Sequence, residues 1–367
     1  MKVSSCVLAA ALCLLAASCG QRVVSQRPTI GYVEEVLGGV RSRELAVLEN
    51  SAVPEPAGDI CIIGSLDACY GYADYLAVHD IHDNVSGAGV SDELPDFAGE
   101  TIACIADDGS FSSYVSSADT LELRRQTVMR VISALDTVLH ITPYDVDGYG
   151  GKRPAKLIVL ADPCLSVFGG FDVDTMMTSA GNHVPVVSSL DLMLDEVFAA
   201  HPGRTLNVGI IYDPEIAPES VYRSGFRAAA QRNGAPESVC VPFPAHRRDS
   251  LVHKLVERYA EGGAMMPLDA VIVDDPRVAP DSVKTELADI VSVMNESSLT
   301  YGRMLSRDFR LVHGFDAVAG YCYDLLRRHN MFTHNIAFPE VLLYRPVVNP
   351  DSAGGDIILI PDLYVQN

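Results

Sequence analysis

The densest group of side chains that could do chemistry lies in residues 79–84, where two histidines stand among carboxylates. His79, Asp80, His82 and Asp83 are ligand types that zinc and other divalent ions accept. The glycines that follow this segment favour a solvated polar loop as the alternative. A metal-dependent hydrolase that uses residues 79–83 is therefore one function that the sequence allows.

Other motifs for hydrolysis or phosphate binding are incomplete. Gly181-Asn182-His183 matches one phrase of the metallophosphoesterases, but the other histidine motifs are absent, so a helix-to-strand turn accounts for it. Residues 150–152 lack the upstream glycine and the Ser or Thr of a P-loop. No G-x-S-x-G elbow occurs. We therefore predict no catalytic residue, no metal site and no cofactor.

A second group of polar residues follows the predicted strands. Ligands of open parallel sheets bind beyond the carboxyl ends of the strands. Short acceptors at those ends suit hydrogen bonds to hydroxyl or cationic groups, whereas capping of the next helix is the alternative. Tyr70, Tyr72 and Tyr75 offer either stacking faces or rim packing. The strand-end candidates for ligand binding are Ser65, Asp67, Asp162, Ser188, Asp213 and Asp275.

The elements that would position these residues are short apolar runs alternating with amphipathic helical patterns. This alternation predicts an α/β fold, with buried parallel strands covered by helices on both faces. Residues 68–100, rich in Gly, Asp and His, are predicted to be irregular. The principal strand-like runs are 60–63, 101–106, 157–160, 206–212 and 270–273.

Several phrases of the second half occur in the order found in a known family. They are Val184–Val187, Asn207–Tyr212, Tyr222–Phe226, Leu268–Asp275 and Phe338–Arg345. Together they resemble the type I periplasmic binding proteins and the ligand-binding core of lactose-repressor-like regulators, over residues 156–348. The resemblance implies two Rossmann-like lobes with parallel sheets, joined by a multi-crossover hinge near 200–205, 276–281 and 308–313.

The same resemblance implies further site residues and a domain division. The family's helix-start arginine, often a ligand contact, falls on Tyr222, with Arg223 one place later, and Asp275 matches the family's Asn-Asp pair. Before residue 156, the long helix expected straight after the first strand is missing from the pattern. The expected division is lobe 1 over 59–203, lobe 2 over 204–312, and a closing helix and strands over 313–367.

The N-terminus carries an apolar run, residues 7–17, that leads through small residues to Cys19. This layout resembles a bacterial lipoprotein signal, which implies cleavage before Cys19, lipid on its sulfur and export. An ordinary secretory signal is the alternative. We expect a signal peptide over 1–18 and a tether with a short helix over 19–58. The six cysteines beyond residue 19 lie largely in apolar runs, which favours free thiols.

Charge excludes one class of partner. The chain has 48 acidic and 27 basic residues, a net charge of −21, so nucleic acid binding is not expected. The predicted function is a lipid-anchored solute-binding protein of the bacterial cell envelope that closes on a small polar ligand without catalysis. A transporter or sensor would be its partner, and lipid on Cys19 its only membrane contact. The alternatives are the exported metal-dependent hydrolase and a non-binding surface lipoprotein.

Overall fold

The described residues form two large sheets with helices packed around them, and a short two-stranded antiparallel ribbon. The computed structural model describes residues 27–107, 109, 111–145, 147–245, 250–263, 266–297, 304–333, 335–350 and 355–362. Within these ranges no helix is both long enough and apolar enough to cross a bilayer. The signal peptide and lipidation of Cys19 fall outside the described residues and stay predictions.

The elements follow one another as a mainly alternating series. In chain order they are α1 (Gly31–Leu37), α2 (Ser42–Asn50), β1 (Asp59–Ser65), α3 (Leu66–Val78), β2 (Thr101–Asp107), α4 (Ser112–Ser116), α5 (Thr120–Leu135), β3 (Val138–Leu139), β4 (Tyr149–Gly150), β5 (Ala155–Leu160), α6 (Pro163–Ser179), β6 (Val186–Ser188), α7 (Ser189–Ala200), β7 (Asn207–Tyr212), α8 (Glu219–Arg232), β8 (Val239–Pro244), α9 (Leu251–Glu261), β9 (Leu268–Asp274), α10 (Pro280–Ser297), β10 (Leu305–His313), α11 (Gly314–Arg328), β11 (Glu340–Val348) and β12 (Ile357–Pro361).

The first sheet has the strand order β12-β11-β2-β1-β5-β6. Its strands are parallel except β12, which runs antiparallel to β11. In the centre, Ile62 of β1 lies opposite Cys104 of β2 and Val159 of β5. Strand β5 is buried at every position, as expected of a parallel strand covered on both faces. The predicted α/β fold with parallel sheets is therefore confirmed.

The second sheet is wholly parallel, with the order β10-β9-β7-β8. The chain enters it through residues 201–206 and leaves it where β10 meets α11. The predicted crossover near 276–281 is wrong. Val278 and Val283 instead pack with Val271 and Val273 in the core of the second sheet, because α10 covers the sheet it follows. Within the described residues, two crossovers, not three, join the part of the chain built on the first sheet to the part built on the second, which we call the two halves.

A helix directly follows β1, where the sequence pattern predicted irregular chain. Helix α3 begins after Ser65, whose side chain accepts a hydrogen bond from the backbone N–H of Ala68. Gly71 in this helix packs closely against the second half of the chain. A Cβ there would lie 2.9 Å from the carbonyl oxygen of Pro276 and 2.8 Å from the ring of Phe315. The glycine thus allows a close approach within a helix and does not end it.

A buried ion pair lies at the amino-terminal ends of the parallel strands of the first sheet, opposite the end at which α3 begins. Lys156 Nζ is 2.5 Å from Glu100 Oε2, and neither side chain has any exposed surface. The ammonium also donates to the carbonyl oxygens of Pro56 and Met331, both at 2.8 Å. The charges of Lys156 and Glu100 therefore compensate each other.

Replacing Glu100 with Gln is expected to lower the free energy of unfolding by about 3–5 kcal/mol, because Lys156 would keep a buried charge without its partner. Urea unfolding followed by circular dichroism measures the change. The control is Asp324→Asn, which breaks a pair whose two side chains are 68% and 66% exposed. That loss should stay below about 1 kcal/mol. Equal losses in the two variants would show that the buried Lys156–Glu100 pair contributes no more to stability than an exposed pair.

Candidate functional site

The carboxyl end of β5 leads into a fully buried carboxylate, Asp162. One of its oxygens accepts a hydrogen bond from the backbone N–H of Cys164 at 2.8 Å, which caps helix α6. The other oxygen, Oδ2, has no hydrogen-bond partner among the described residues. Burial, opposed by the hydrogen bonds from Cys164 and assisted by the nearby charge of Asp274, raises the pKa of Asp162 to about 7.

A second buried carboxylate, Asp274, ends strand β9 of the other sheet. Its Oδ2 accepts a hydrogen bond of 2.9 Å from the hydroxyl of Tyr222 on α8. Burial raises the pKa of Asp274 to about 7, although the Tyr222 hydrogen bond acts in the opposite direction. The charge of neighbouring Asp275 adds to the increase.

The two carboxylates belong to one group of buried side chains, which we name the junction cluster: Tyr72, Asp162, Cys164, Tyr222 and Asp274. The charges of Asp274 and Asp162 both raise the pKa of Tyr222. The Cys164 thiol donates to the carbonyl oxygen of Ile216 in the second half, at 3.8 Å. Tyr72 reaches the cluster from α3, and the charge of Asp274 raises its pKa after burial. The cluster therefore joins both halves of the chain.

The junction cluster holds acidic groups without a cation. Neither Asp162 nor Asp274 has a Lys or Arg partner among the described residues, and no cation contributes to either pKa shift. Carboxyl groups with pKa values near 7 gain and lose protons readily at neutral pH, as general acids and bases must. The arrangement is therefore suited to proton transfer.

Arginines instead pair with other carboxylates at or after the carboxyl ends of the strands, which we call the rim carboxylates. Arg277 pairs with Asp213, lies 3.5 Å from Asp275, and reaches to 3.8 Å from Asp67 of the first half. Arg130 holds Asp107, at the end of β2, through two hydrogen bonds of 2.7 and 2.8 Å. The rim carboxylates are thus in contact with cations, in contrast to Asp162 and Asp274.

Five of the eight predicted ligand residues lie in the junction cluster or at its rim. Asp162 and Tyr222 lie in the junction cluster, and Asp213, Asp275 and Asp67 lie at its rim beside Arg277.

The other three lie elsewhere. Ser65 and Ser188 cap helices α3 and α7, the alternative reading of strand-end residues. Arg223 is exposed and pairs with Glu219 one turn away at 2.6 Å.

Sequence reasoning missed Asp274 and Cys164 as members of this cluster. The pair Asp274-Asp275 was visible, but side chains of successive strand residues point to opposite faces, and only the structure shows which one faces the cluster. Cys164 was assigned to the free thiols, and it is indeed unbridged. No motif distinguishes it from the other buried cysteines.

Both histidines of residues 79–84 lie beside one nearby carboxylate, Asp96. The ring nitrogen Nδ1 of His82 is 2.9 Å from Asp96 Oδ2, and Nε2 of His79 is 3.7 Å from the same oxygen. Asp96 also accepts the backbone N–H of Ile81 and of His82. No group of three or more potential ligand side chains suited to a metal occurs in the described part of the chain.

Known proteins resemble this chain only in structure. No protein-family model matches it, and no curated protein sequence does. Glutamate racemase from Francisella tularensis, solved with D-glutamate, matches over 79% of this chain and 88% of its own, with 12% identity and a TM-score of 0.48. Glutamate racemase from Bacillus anthracis matches over 78% and 88%, with 11% identity and a TM-score of 0.46. Allantoin racemase from Klebsiella pneumoniae matches over 77% and 94%, with 13% identity and a TM-score of 0.34.

These matches correct the functional predictions. The type I periplasmic-binding-protein core and the non-catalytic solute-binding function were wrong, because the solved structures that match are racemases. The same matches contradict the prediction of a chain without catalytic residues. The two-crossover connection is a further departure from the predicted core. At these identities and TM-scores, the likeness supplies neither substrate nor mechanism for this chain.

The buried carboxylates predict an unusual pH dependence of stability. Their pKa values rise from 3.8 to about 7 on folding, so between these values the folded chain retains protons that the unfolded chain releases. Their contribution to stability therefore falls as pH rises from 4 to 7. Asp162→Asn should gain stability over the parent at pH 8 relative to pH 5, by up to about 2.5 kcal/mol, because part of the effect is already present at pH 5.

Urea unfolding at both pH values measures this difference, and Asn retains the helix cap. Asp119→Asn is the matched control, because Asp119 caps α5 in the same way from an exposed position. An Asp162→Asn variant with the same stability relative to the parent at pH 5 and pH 8 would show that Asp162 is ionised normally in the folded chain.

Proposed function

We propose that this protein is an enzyme that transfers protons on a small substrate held between its two halves, with Asp162 and Asp274 as the proton-transfer groups. The observation that carries the proposal is a pair of buried carboxylates, one from each half, that have no cation partner in the described chain and are near enough for the charge of Asp274 to raise the pKa of Asp162. Catalytic acids and bases are found in such environments.

The local structure alone does not require these residue types. A cap for α6 needs one acceptor oxygen, and Asn or Ser would provide it without burying an ionisable group. Burying a carboxylate without a counter-ion is unfavourable by several kcal/mol. The second oxygen of Asp162 adds this penalty and caps nothing. A chemical role in proton transfer accounts for its presence.

Two carboxyl groups with matched pKa values favour a reaction that removes one proton and delivers another. At neutral pH one of the pair can accept a proton while the other donates one. We propose a carbon acid as substrate, with a C–H bond next to a carbonyl or carboxylate group. The base takes the proton, the electron pair of the C–H bond passes to that neighbouring group, and the acid then protonates the carbon. Racemisation, epimerisation and isomerisation are reactions of this class.

Access to the cluster requires the halves to separate. Asp162, Cys164 and Tyr222 have no exposed surface in this closed arrangement. The two crossovers, at 201–206 and between β10 and α11, are the points about which the halves would move. Exclusion of water after closure would strengthen the electrostatic interactions around the substrate.

The test is hydrogen exchange at carbon in D₂O. The protein is incubated with a panel of D- and L-amino acids and 2-hydroxy acids, and loss of the Cα proton is followed by NMR together with optical rotation. We expect exchange with at least one member of the panel. Asp162→Asn and Asp274→Asn should each lower the rate by about 10²- to 10⁴-fold.

The matched control for these variants is again Asp119→Asn, which changes a helix cap far from the junction cluster and should exchange at the parent rate. Circular dichroism establishes that each variant is folded. Exchange that persists unchanged in both cluster variants would refute the role of the carboxylates, and absence of exchange with every panel member would refute the reaction class.

A further inference from the structure

We infer that the junction cluster is asymmetric before substrate binds: Asp274 is the ionised base, Asp162 is the protonated acid, and Tyr222 sets this order. The inference rests on the proposed function for its chemical meaning, but its geometry stands independently. It assigns different roles to two carboxylates that have similar burial.

The hydrogen bond from Tyr222 favours the ionised form of Asp274. The phenol donates to Oδ2 at 2.9 Å, and a donor to a carboxylate stabilises its charge. Tyr222 is held in place because it is fully buried on α8 and its ring packs against Tyr212, with 4.6 Å between ring centroids. Tyr222 is thus a positioning residue that acts through Asp274.

Asp162 has no comparable donor on its second oxygen. The backbone N–H of Cys164 serves one oxygen at 2.8 Å, and Oδ2 is buried without a partner among the described residues. A bare buried oxygen favours the neutral carboxyl group, because the charged form would have neither water nor a donor. In that form, Asp162 presents an O–H to the cluster.

The groups that face the two carboxylates from other elements leave this order intact. Tyr72 on α3 bonds Ser189, and burial keeps its phenol neutral. Burial likewise raises the pKa of the Cys164 thiol on α6, so it carries no charge, and its hydrogen bond to the Asp162 carboxyl group lowers the pKa of Asp162 less than burial raises it. Asp275 follows Asp274 and lies beside Arg277, and its charge acts on Asp274 less than burial and the Tyr222 bond do. Mutual repulsion of the two carboxylates further favours one shared proton.

These protonation states determine which carboxyl group accepts a proton and which donates one in each turnover. Asp274 takes the proton of the substrate and becomes neutral, and Asp162 gives its proton to carbon and becomes ionised. Charge and protons balance, but the pair ends in the inverse of its starting state. The next turnover in the same direction therefore requires the proton to return from Asp274 to Asp162, directly or through water.

Infrared difference spectroscopy of the ligand-free protein, labelled with ¹³C at Asp carboxyl groups, tests the order directly. Near neutral pH, we expect a band of a protonated buried carboxyl that is lost in Asp162→Asn and kept in Asp274→Asn. Tyr222→Phe should raise the lower of the two apparent pKa values by about one to two units. Tyr212→Phe removes a hydroxyl from the adjacent ring and is the matched control, with no shift expected.

The inference is overturned if the band is lost in Asp274→Asn and kept in Asp162→Asn, or if Tyr222→Phe and Tyr212→Phe titrate alike. The titration needs no substrate, so its outcome is separate from that of the D₂O exchange. The expected infrared order without carbon exchange would refute the proposed reaction and support the asymmetry. Carbon exchange together with the inverse order of the infrared bands would support the proposed reaction and refute the asymmetry.

Discussion

Desolvation of two carboxylates where the sheets meet is the constraint on which the rest of the structure depends. Asp162 and Asp274 stand at the carboxyl ends of β5 and β9, where both halves of the chain exclude water from them. Neither has a cation partner among the described residues, so their protonation follows from burial and from each other. Tyr222 donates a hydrogen bond to Asp274, Asp162 caps α6, and both carboxylates are buried where the two halves meet.

The surrounding fold can sustain this unfavourable burial because its apolar core is continuous. One core cluster includes Ile158 and Leu160 of the first sheet and Val208 and Ile210 of the second. At the amino-terminal ends of the strands of the first sheet, Lys156 and Glu100 are as deeply buried but neutralise each other. The Lys156–Glu100 pair therefore differs from Asp162 and Asp274, which have no cation partner among the described residues. Compensation is typical of a structural ion pair, and its lack is typical of a chemical site.

Local patterns in the sequence predicted much of the fold. Continuous apolar runs such as Leu157–Leu160 identified parallel strands correctly, because burial on both faces removes the polar alternation. Strand β10 escaped notice because it is an edge strand in which Arg307 and Asp308 are exposed. Helix α3 escaped because residues 68–100, rich in Gly, Asp and His, were predicted to be irregular. Gly71 lies within the helix, where it allows the close approach of Pro276, more than 200 positions later in the chain.

The candidate site was only partly accessible to the same reasoning. Strand-end position identified Asp162, since polar residues after parallel strands converge at one edge. That Asp162 lacks a counter-ion while Asp213 has Arg277 depends on tertiary contacts that no local pattern encodes. The resemblance to a binding-protein core also misled, because similar phrases at strand and helix starts occur in α/β folds of different connectivity.

The cap of helix α6 has a consequence for how this protein could vary. Asp162 serves the first turn of a helix with one oxygen and faces the junction cluster with the other. The backbone accepts four or five residue types at a cap, but an exchangeable proton restricts that choice to a carboxylic acid. Glutamate carries the same acid on a longer stem and is a poor cap. Geometry and acidity together leave aspartate as the single side chain that meets both demands at this position.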